Sequence, residues 1–232
     1  MCARIGLLLP SSNTTMEPEF YSMAPKDVSV HIARMFLKDV TPESLEAMAD
    51  DAVKAAELLA TAAVDVLVYG CTSGSLVKGV AWEEALVDRI QSTTGITTVT
   101  TAGAVAKALK EVRAHDMMIV TPYIDELNQL EVSFLEAYGF NVISIKGLGL
   151  RDNQLIGKVQ PDEILGLIDT SQKGDSLFIS CTNLPVVSII QSIESKYHIP
   201  VVTSNQASMW SALSVLGLGP VEGYGLLLKD HL

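Results

Sequence analysis

Four segments from the first half of this chain return, in the same order, in the second half. RIGLLLPSSN (4–13) resembles DMMIVTPYID (116–125), and VTPESLEAM (40–48) resembles VQPDEILGL (159–167). DVLVYGCTSG (65–74) resembles DSLFISCTNL (175–184), and ITTVTTAGAVAKAL (96–109) resembles IPVVTSNQASMWSAL (199–213). The matches lie about 103 to 119 residues apart, a drift that loops absorb. Repeats of 20–50 residues, which mark solenoids, are absent. A chain of 232 residues built this way is two copies of one folding unit.

Each copy alternates short apolar runs with helix-length amphipathic segments. The strand candidates are Ile5–Leu9, Val28–Arg34, Val64–Tyr69, Thr97–Thr100, Met117–Val120, Val142–Ile145, Ser176–Ser180 and Val201–Thr203. Several are continuously apolar, the pattern of parallel strands covered on both faces. Thr41–Ala63 opens on Thr-Pro-Glu-Ser, an N-cap, a proline at the first helical position and an early acid. Strand–helix alternation of this kind gives an α/β fold with right-handed crossovers. The expectation is two similar Rossmann-like or flavodoxin-like lobes with parallel sheets, related by a pseudo-twofold axis, with a cleft between them.

Composition removes several function classes. The net charge is −11, which argues against nucleic acid or an anionic membrane as partner. The charge-free stretches Ser176–Ile193 and Ile199–Val221 are long enough to raise the question of a membrane span. They are broken by Cys-Thr-Asn, Pro185, Thr-Ser-Asn-Gln and glycines, and so read as strand, polar turn and helix. The first apolar run, Ile5–Leu9, is too short for a signal peptide. A cytoplasmic protein with reduced thiols is expected. Three cysteines, at 2, 71 and 181, make no disulfide framework, and no metal-binding spacing is present. No phosphate-binding loop or dinucleotide fingerprint follows a strand, so no cofactor is expected.

Ligands of open α/β sheets bind at the carboxyl ends of the strands. There the chain places Pro10–Thr15, Gly70–Gly74, Thr121–Asp125, Ser180–Asn183 and Thr203–Gln206, all polar clusters. Cys71 and Cys181 occupy equivalent repeat positions, each at a strand end, followed by threonine and then by an expected helix. A helix N-terminus stabilises negative charge, which should lower both thiol pKa values and favour thiolate. No lysine or arginine sits in either turn, so a carboxylate would be held by neutral donors. Tyr123 could aim its hydroxyl into the cleft or cap a loop. Asn13 could bind a carboxylate or form an Asx-turn, and Asn153 is open to the same two readings. No histidine lies near these turns, and the Ser11–Ser12 pair lacks a nucleophile-elbow motif. The residues alone describe a cofactor-free enzyme with two opposed cysteines acting on a small acid.

These residues resemble a known group. Paired cysteines in duplicated α/β lobes are similar to the aspartate/glutamate racemase superfamily. RIGLLLPSSNTTMEPEF, VYGCTSGS, TPYIDELN, RDNQLIGKV and SCTN look most like its maleate cis-trans isomerases, over Arg4 to about Leu213. The resemblance implies Cys71 as nucleophile and Cys181 as second acid/base. It implies substrate binding by Asn13, Tyr123 and Asn153, together with Thr72, Ser73, Thr182 and Asn183 beside the cysteines. It also implies a small dicarboxylate substrate, a homodimer, and a C-terminal segment packed back on the first lobe. The lobes would then comprise 1–96 plus 207–232, and 97–206. The related arylmalonate decarboxylases typically lack the first cysteine, whereas amino-acid racemases keep both. A cofactor-independent racemase or decarboxylase, or a non-enzymatic dicarboxylate sensor, are the competing readings.

Overall fold

The computed structural model describes residues 2–169 and 171–232. The two apolar halves become two four-stranded parallel sheets of identical connectivity. The first is ordered β2-β1-β3-β4, from β1 (Ala3–Pro10), β2 (Val28–Met35), β3 (Val66–Tyr69) and β4 (Thr98–Thr100). The second is ordered β6-β5-β7-β8, from β5 (Asp116–Thr121), β6 (Asn141–Gly147), β7 (Ser176–Ile179) and β8 (Val201–Thr203). All eight strands read from the sequence are present. β1 and β5 are central because they pair on both edges, and their runs Ile5–Pro10 and Met117–Thr121 are buried throughout.

Helices fill the crossovers. In the first lobe they are α1 (Met16–Met23), α2 (Pro42–Ala60), α3 (Thr72–Leu76), α4 (Val80–Thr94) and α5 (Thr101–Glu111). In the second they are α6 (Asp125–Ala137), α7 (Asn153–Ile156), α8 (Pro161–Leu167), α9 (Ile190–Tyr197), α10 (Ser204–Val215) and α11 (Leu226–Asp230). In α2 the Thr41 hydroxyl caps the Ser44 amide. Its buried stripe, Leu45, Met48, Ala49, Ala52, Ala55, Ala56 and Leu59, follows the three-and-four spacing of one helix face. α10 is different: every residue from Ser204 to Leu213 is buried, and only its last two, Ser214 and Val215, are exposed. It packs on α5, the equivalent helix of the first repeat, and together they form the seam between the lobes.

Sheet pairing shifts the expected lobe boundary. Residues 97–206 were to form the second lobe, yet β4 hydrogen-bonds to β3, so the first sheet runs to Thr100. The C-terminal segment straddles the seam rather than joining one lobe. α11 packs on α10 and β8, while the Tyr224 hydroxyl reaches back to the Ser22 carbonyl on α1. No helix among the described residues is long and apolar enough to cross a membrane.

Polar pairs pin the seam. The Ser208 hydroxyl bonds Thr101 Oγ1 at 3.0 Å, and Thr101 Oγ1 donates to the Tyr69 carbonyl at 3.1 Å. Thr101→Val keeps the volume and removes both bonds, while Ser208 retains the Ser204 carbonyl and the Tyr69 carbonyl retains the Cys71 amide. It should lower unfolding free energy by about 0.5–1.5 kcal/mol, read as a reduced denaturation midpoint by circular dichroism.

Candidate active site

The carboxyl ends of both sheets meet around one small, nearly closed cavity. Its walls are Pro10, Asn13, Leu37, Val40, Cys71, Thr72, Ser73, Tyr123, Asn153, Cys181, Thr182 and Asn183. All nine residues singled out from the sequence are in this wall, and no charged side chain is.

Cys71 ends the loop after β3 and is the N-cap of α3. Its sulfur accepts from the Gly74 amide at 3.3 Å and lies 3.8 Å from Ser73 Oγ. A Cβ at Gly74 would crowd the thiol, sitting 3.1 Å from Cys71 Sγ and 2.8 Å from Met48 Cε. Cys181 departs from its repeat partner. No helix follows it: Cys181–Leu184 is a turn, and helical backbone resumes only with a 3₁₀ segment at Val187–Ile189. The reason is local. The second repeat reads Thr-Asn-Leu-Pro where the first reads Thr-Ser-Gly-Ser, and Pro185 disfavours helix at the residue before it. Cys181 adopts φ +110°, a conformation that costs about 1–3 kcal/mol and is held by its surroundings. Its amide donates to Ser204 Oγ at 3.0 Å, and its sulfur accepts from the Asn183 amide at 3.4 Å.

The thiols also correct the sequence reading of their acidity. Burial pushes Cys71 up to about 11, against the pull of the Gly74 and Ser73 hydrogen bonds. Burial likewise pushes Cys181 to about 12, against hydrogen bonding from Tyr123 and the Asn183 amide. Desolvation of a would-be anion outweighs the donors of a short helix start. Both groups rest as thiols.

The remaining residues cross-brace the two lobes. Asn13 makes the Asx-type turn: its Oδ1 accepts from the Thr15 and Met16 amides, both at 3.0 Å, while Nδ2 donates to Thr182 Oγ1 at 3.0 Å on the cavity wall. Thr182 in turn donates to the Gly70 carbonyl, and Thr72 to Ser204 Oγ at 2.8 Å. Asn183 Nδ2 donates to the Asn153 carbonyl at 2.6 Å, and Asn153 Nδ2 donates to Ser12 Oγ at 2.8 Å. Tyr123 is 2% exposed, with its hydroxyl against the Cys181 sulfur.

Leu37 and Val40 were not foreseen. They form an apolar roof from the β2–α2 loop. That loop is tied to Ser11 through the Leu37 amide (3.0 Å), and to the second lobe through the Val40 amide and the Arg151 carbonyl (3.0 Å). A loop without periodicity offers no sequence signal for such a role.

The sequence pattern of the arylmalonate decarboxylase family matches residues 5–228. Among curated relatives, a maleate isomerase of Pseudomonas putida is 31% identical, over 97% of both chains. Among solved structures, the maleate isomerase of Pseudomonas putida S16 with maleate superposes with a TM-score of 0.95 at 28% identity, covering 99% of this chain and 98% of that one. A Nocardia farcinica maleate cis-trans isomerase variant carrying a covalent succinylcysteine intermediate gives 0.93 at 29% identity, covering 99% of each.

Raised thiol pKa values have a direct readout. A thiolate fraction falls tenfold for each unit that a pKa exceeds the ambient pH. At pH 8, exposed Cys2 should be alkylated by iodoacetamide about tenfold or more faster than Cys71 or Cys181, as followed by peptide mass mapping. Faster labelling of either buried cysteine would contradict the elevated values.

Proposed function

The chain belongs to the arylmalonate decarboxylase family, and within it we propose that this protein is a cofactor-independent maleate cis-trans isomerase with Cys71 as nucleophile and Cys181 as its acid/base partner. One observation carries the assignment of residues: two thiols from repeat-equivalent strand ends line one cavity that contains no charged side chain. The relative that holds a covalent succinylcysteine supports the same chemistry.

Maleate is an alkene flanked by two carboxylates. Cys71 sulfur adds to one alkene carbon, and the π electrons move toward the carboxylate on the other. That carbon takes a proton from Cys181, while the proton lost by Cys71 restores Cys181. Net, S–H adds across the double bond. The central bond is now single and rotates. Cys181 then takes a proton from that carbon while passing its own to the departing Cys71 sulfur, which gives fumarate with both thiols restored. This balance suits thiols that rest protonated, since no proton need be exchanged with solvent.

The transition state concentrates negative charge on one carboxylate, in a place where no cation balances it. Preorganised neutral donors supply the stabilisation. Tyr123 is the strongest candidate donor. The first-turn amides of α3, at Thr72 and Ser73, have no acceptor within the helix and add to it. Asn13 and Asn153 each keep one side-chain N–H for the second carboxylate, while Thr182 and Asn183, whose donors go to the Gly70 carbonyl and to Asn153, fix the wall around it. Leu37, Val40 and Pro10 exclude water, which strengthens each of these interactions.

Proton NMR of maleate conversion in buffer without added cofactor tests the activity. Cys71→Ala should abolish fumarate formation. Cys181→Ala should slow it while still permitting a succinyl adduct on Cys71, seen by intact-protein mass spectrometry. An adduct on Cys181 would reverse the two roles, and decarboxylation of an arylmalonate without maleate turnover would replace the reading.

Tyr123→Phe removes one donor and keeps the ring. Loss of a hydrogen bond to a charged group costs ~1.5–3 kcal/mol, or ~10–150-fold. Because the charge develops only in the transition state, kcat should fall more than KM rises. A change confined to KM would place Tyr123 in ground-state binding alone.

A further inference from the structure

The chemistry above leaves two inward-facing carboxyl groups unused. Carried on without a gap, the repeat that aligns Arg4 with Asp116 aligns Glu19 with Glu131, one on α1 and one on α6. Equivalent residues of two repeats would be expected to serve their own lobes. Instead both hold the same segment, Ser180–Val187. Glu131, 1% exposed, accepts from Ser180 Oγ at 2.5 Å. Glu19 reaches across the seam: Oε1 accepts from the Val186 and Val187 amides at 3.0 and 3.1 Å, and Oε2 from Asn205 Nδ2 at 2.6 Å. The same Asn205 nitrogen donates to the Thr182 carbonyl at 3.0 Å. The asymmetry has a visible origin. The position before the first cysteine is Gly70, which has no hydroxyl to offer, whereas the position before the second is Ser180. Between the two grips lies Cys181 with its positive φ.

We propose that Glu19 and Glu131 are positioning residues for Cys181, holding its turn in the strained geometry that aims the thiol at the cavity. The inference rests on the reading that Cys181 handles the proton. The two groups act in different charge states. Glu19 faces three N–H donors and no acceptor, so it serves as a carboxylate, those bonds opposing the burial that pushes it up to about 7. Glu131 meets one hydroxyl, and its Oε2 is buried without a partner beside a void lined by Leu76, Val105, Phe134, Leu135 and Phe178. It serves as a neutral acid, consistent with burial pushing it to about 8.

Glutamine therefore separates them. Glu131→Gln keeps the acceptor for Ser180 and stays neutral. Glu19→Gln sets an amide donor against Asn205 or the backbone amides. E131Q should keep kcat for maleate within about threefold of the unmodified chain, and Cys181 should alkylate at the same rate. E19Q should lower kcat about tenfold or more with KM nearly unchanged. In E19Q, Cys181 alkylation should shift about fivefold or more while that of Cys71 holds. Glu131→Leu, which removes the acceptor, should behave as E19Q does. Circular dichroism establishes folding, and E19Q carries the test if E131L does not fold. Wild-type kcat and Cys181 alkylation in a folded E19Q would overturn the proposal. Equal shifts at both cysteines would also overturn it, as the mark of general loosening. An E131Q as impaired as E131L would overturn the neutral-acid role. Alkylation needs no substrate, so a chain inactive on maleate would defeat the isomerase reading while leaving this result legible.

Discussion

Two parallel sheets point their carboxyl ends at each other across a closed space, and that confrontation governs the structure. Strand ends and turn starts are rich in unpaired amides and carbonyls, and a buried polar group without a partner is costly. Here the partner is found in the opposite lobe. Asn13 donates to Thr182, Thr182 to the Gly70 carbonyl, and Thr72 to Ser204, which also receives the Cys181 amide. Neither turn is complete alone. The lobes are therefore joined at the site by the same bonds that shape it, and the apolar seam of α5 and α10 lies behind them.

A site assembled this way is neutral. The chain carries a net charge of −11, none of it in the cavity wall. Desolvation then raises both thiols, leaving chemistry to proceed by moving protons between groups rather than by storing an anion. Hydrogen bonds to sulfur from Gly74 and Asn183 moderate the effect without reversing it. Water exclusion by Leu37 and Val40 strengthens the same donors once negative charge develops on a substrate.

Much of this was legible in the residues. Short, largely apolar runs such as Ile5–Leu9 and Ser176–Ser180, alternating with helix-length segments, read as strands covered on both faces, and the repeat placed Cys71 and Cys181 at equivalent ends. What the sequence withheld depends on three-dimensional packing. Thiol acidity was misjudged because a helix start is visible in a sequence and the degree of burial is not. The helix expected after Cys181 failed at Pro185, a signal that was present and outweighed by the analogy with the first repeat. The lobe boundary was set before β4 although Thr97–Thr100 reads as a strand, because which sheet a strand joins is decided by its pairing, here with β3. Glu19 and Glu131 sit among the acids of amphipathic helices and look like surface charge until the repeat is carried through them.

α10 turns none of its first ten residues to water: Ser204 through Leu213 are buried, and their polar groups bond inside the protein. Parting the lobes would lay bare the side of that helix that faces α5, α1, β3 and β4. The roof, by contrast, hangs on a few backbone bonds between the Leu37–Val40 loop, Ser11 and Arg151. The two halves are therefore held by an extended buried surface, and the ceiling of the cavity by a handful of bonds and two apolar side chains.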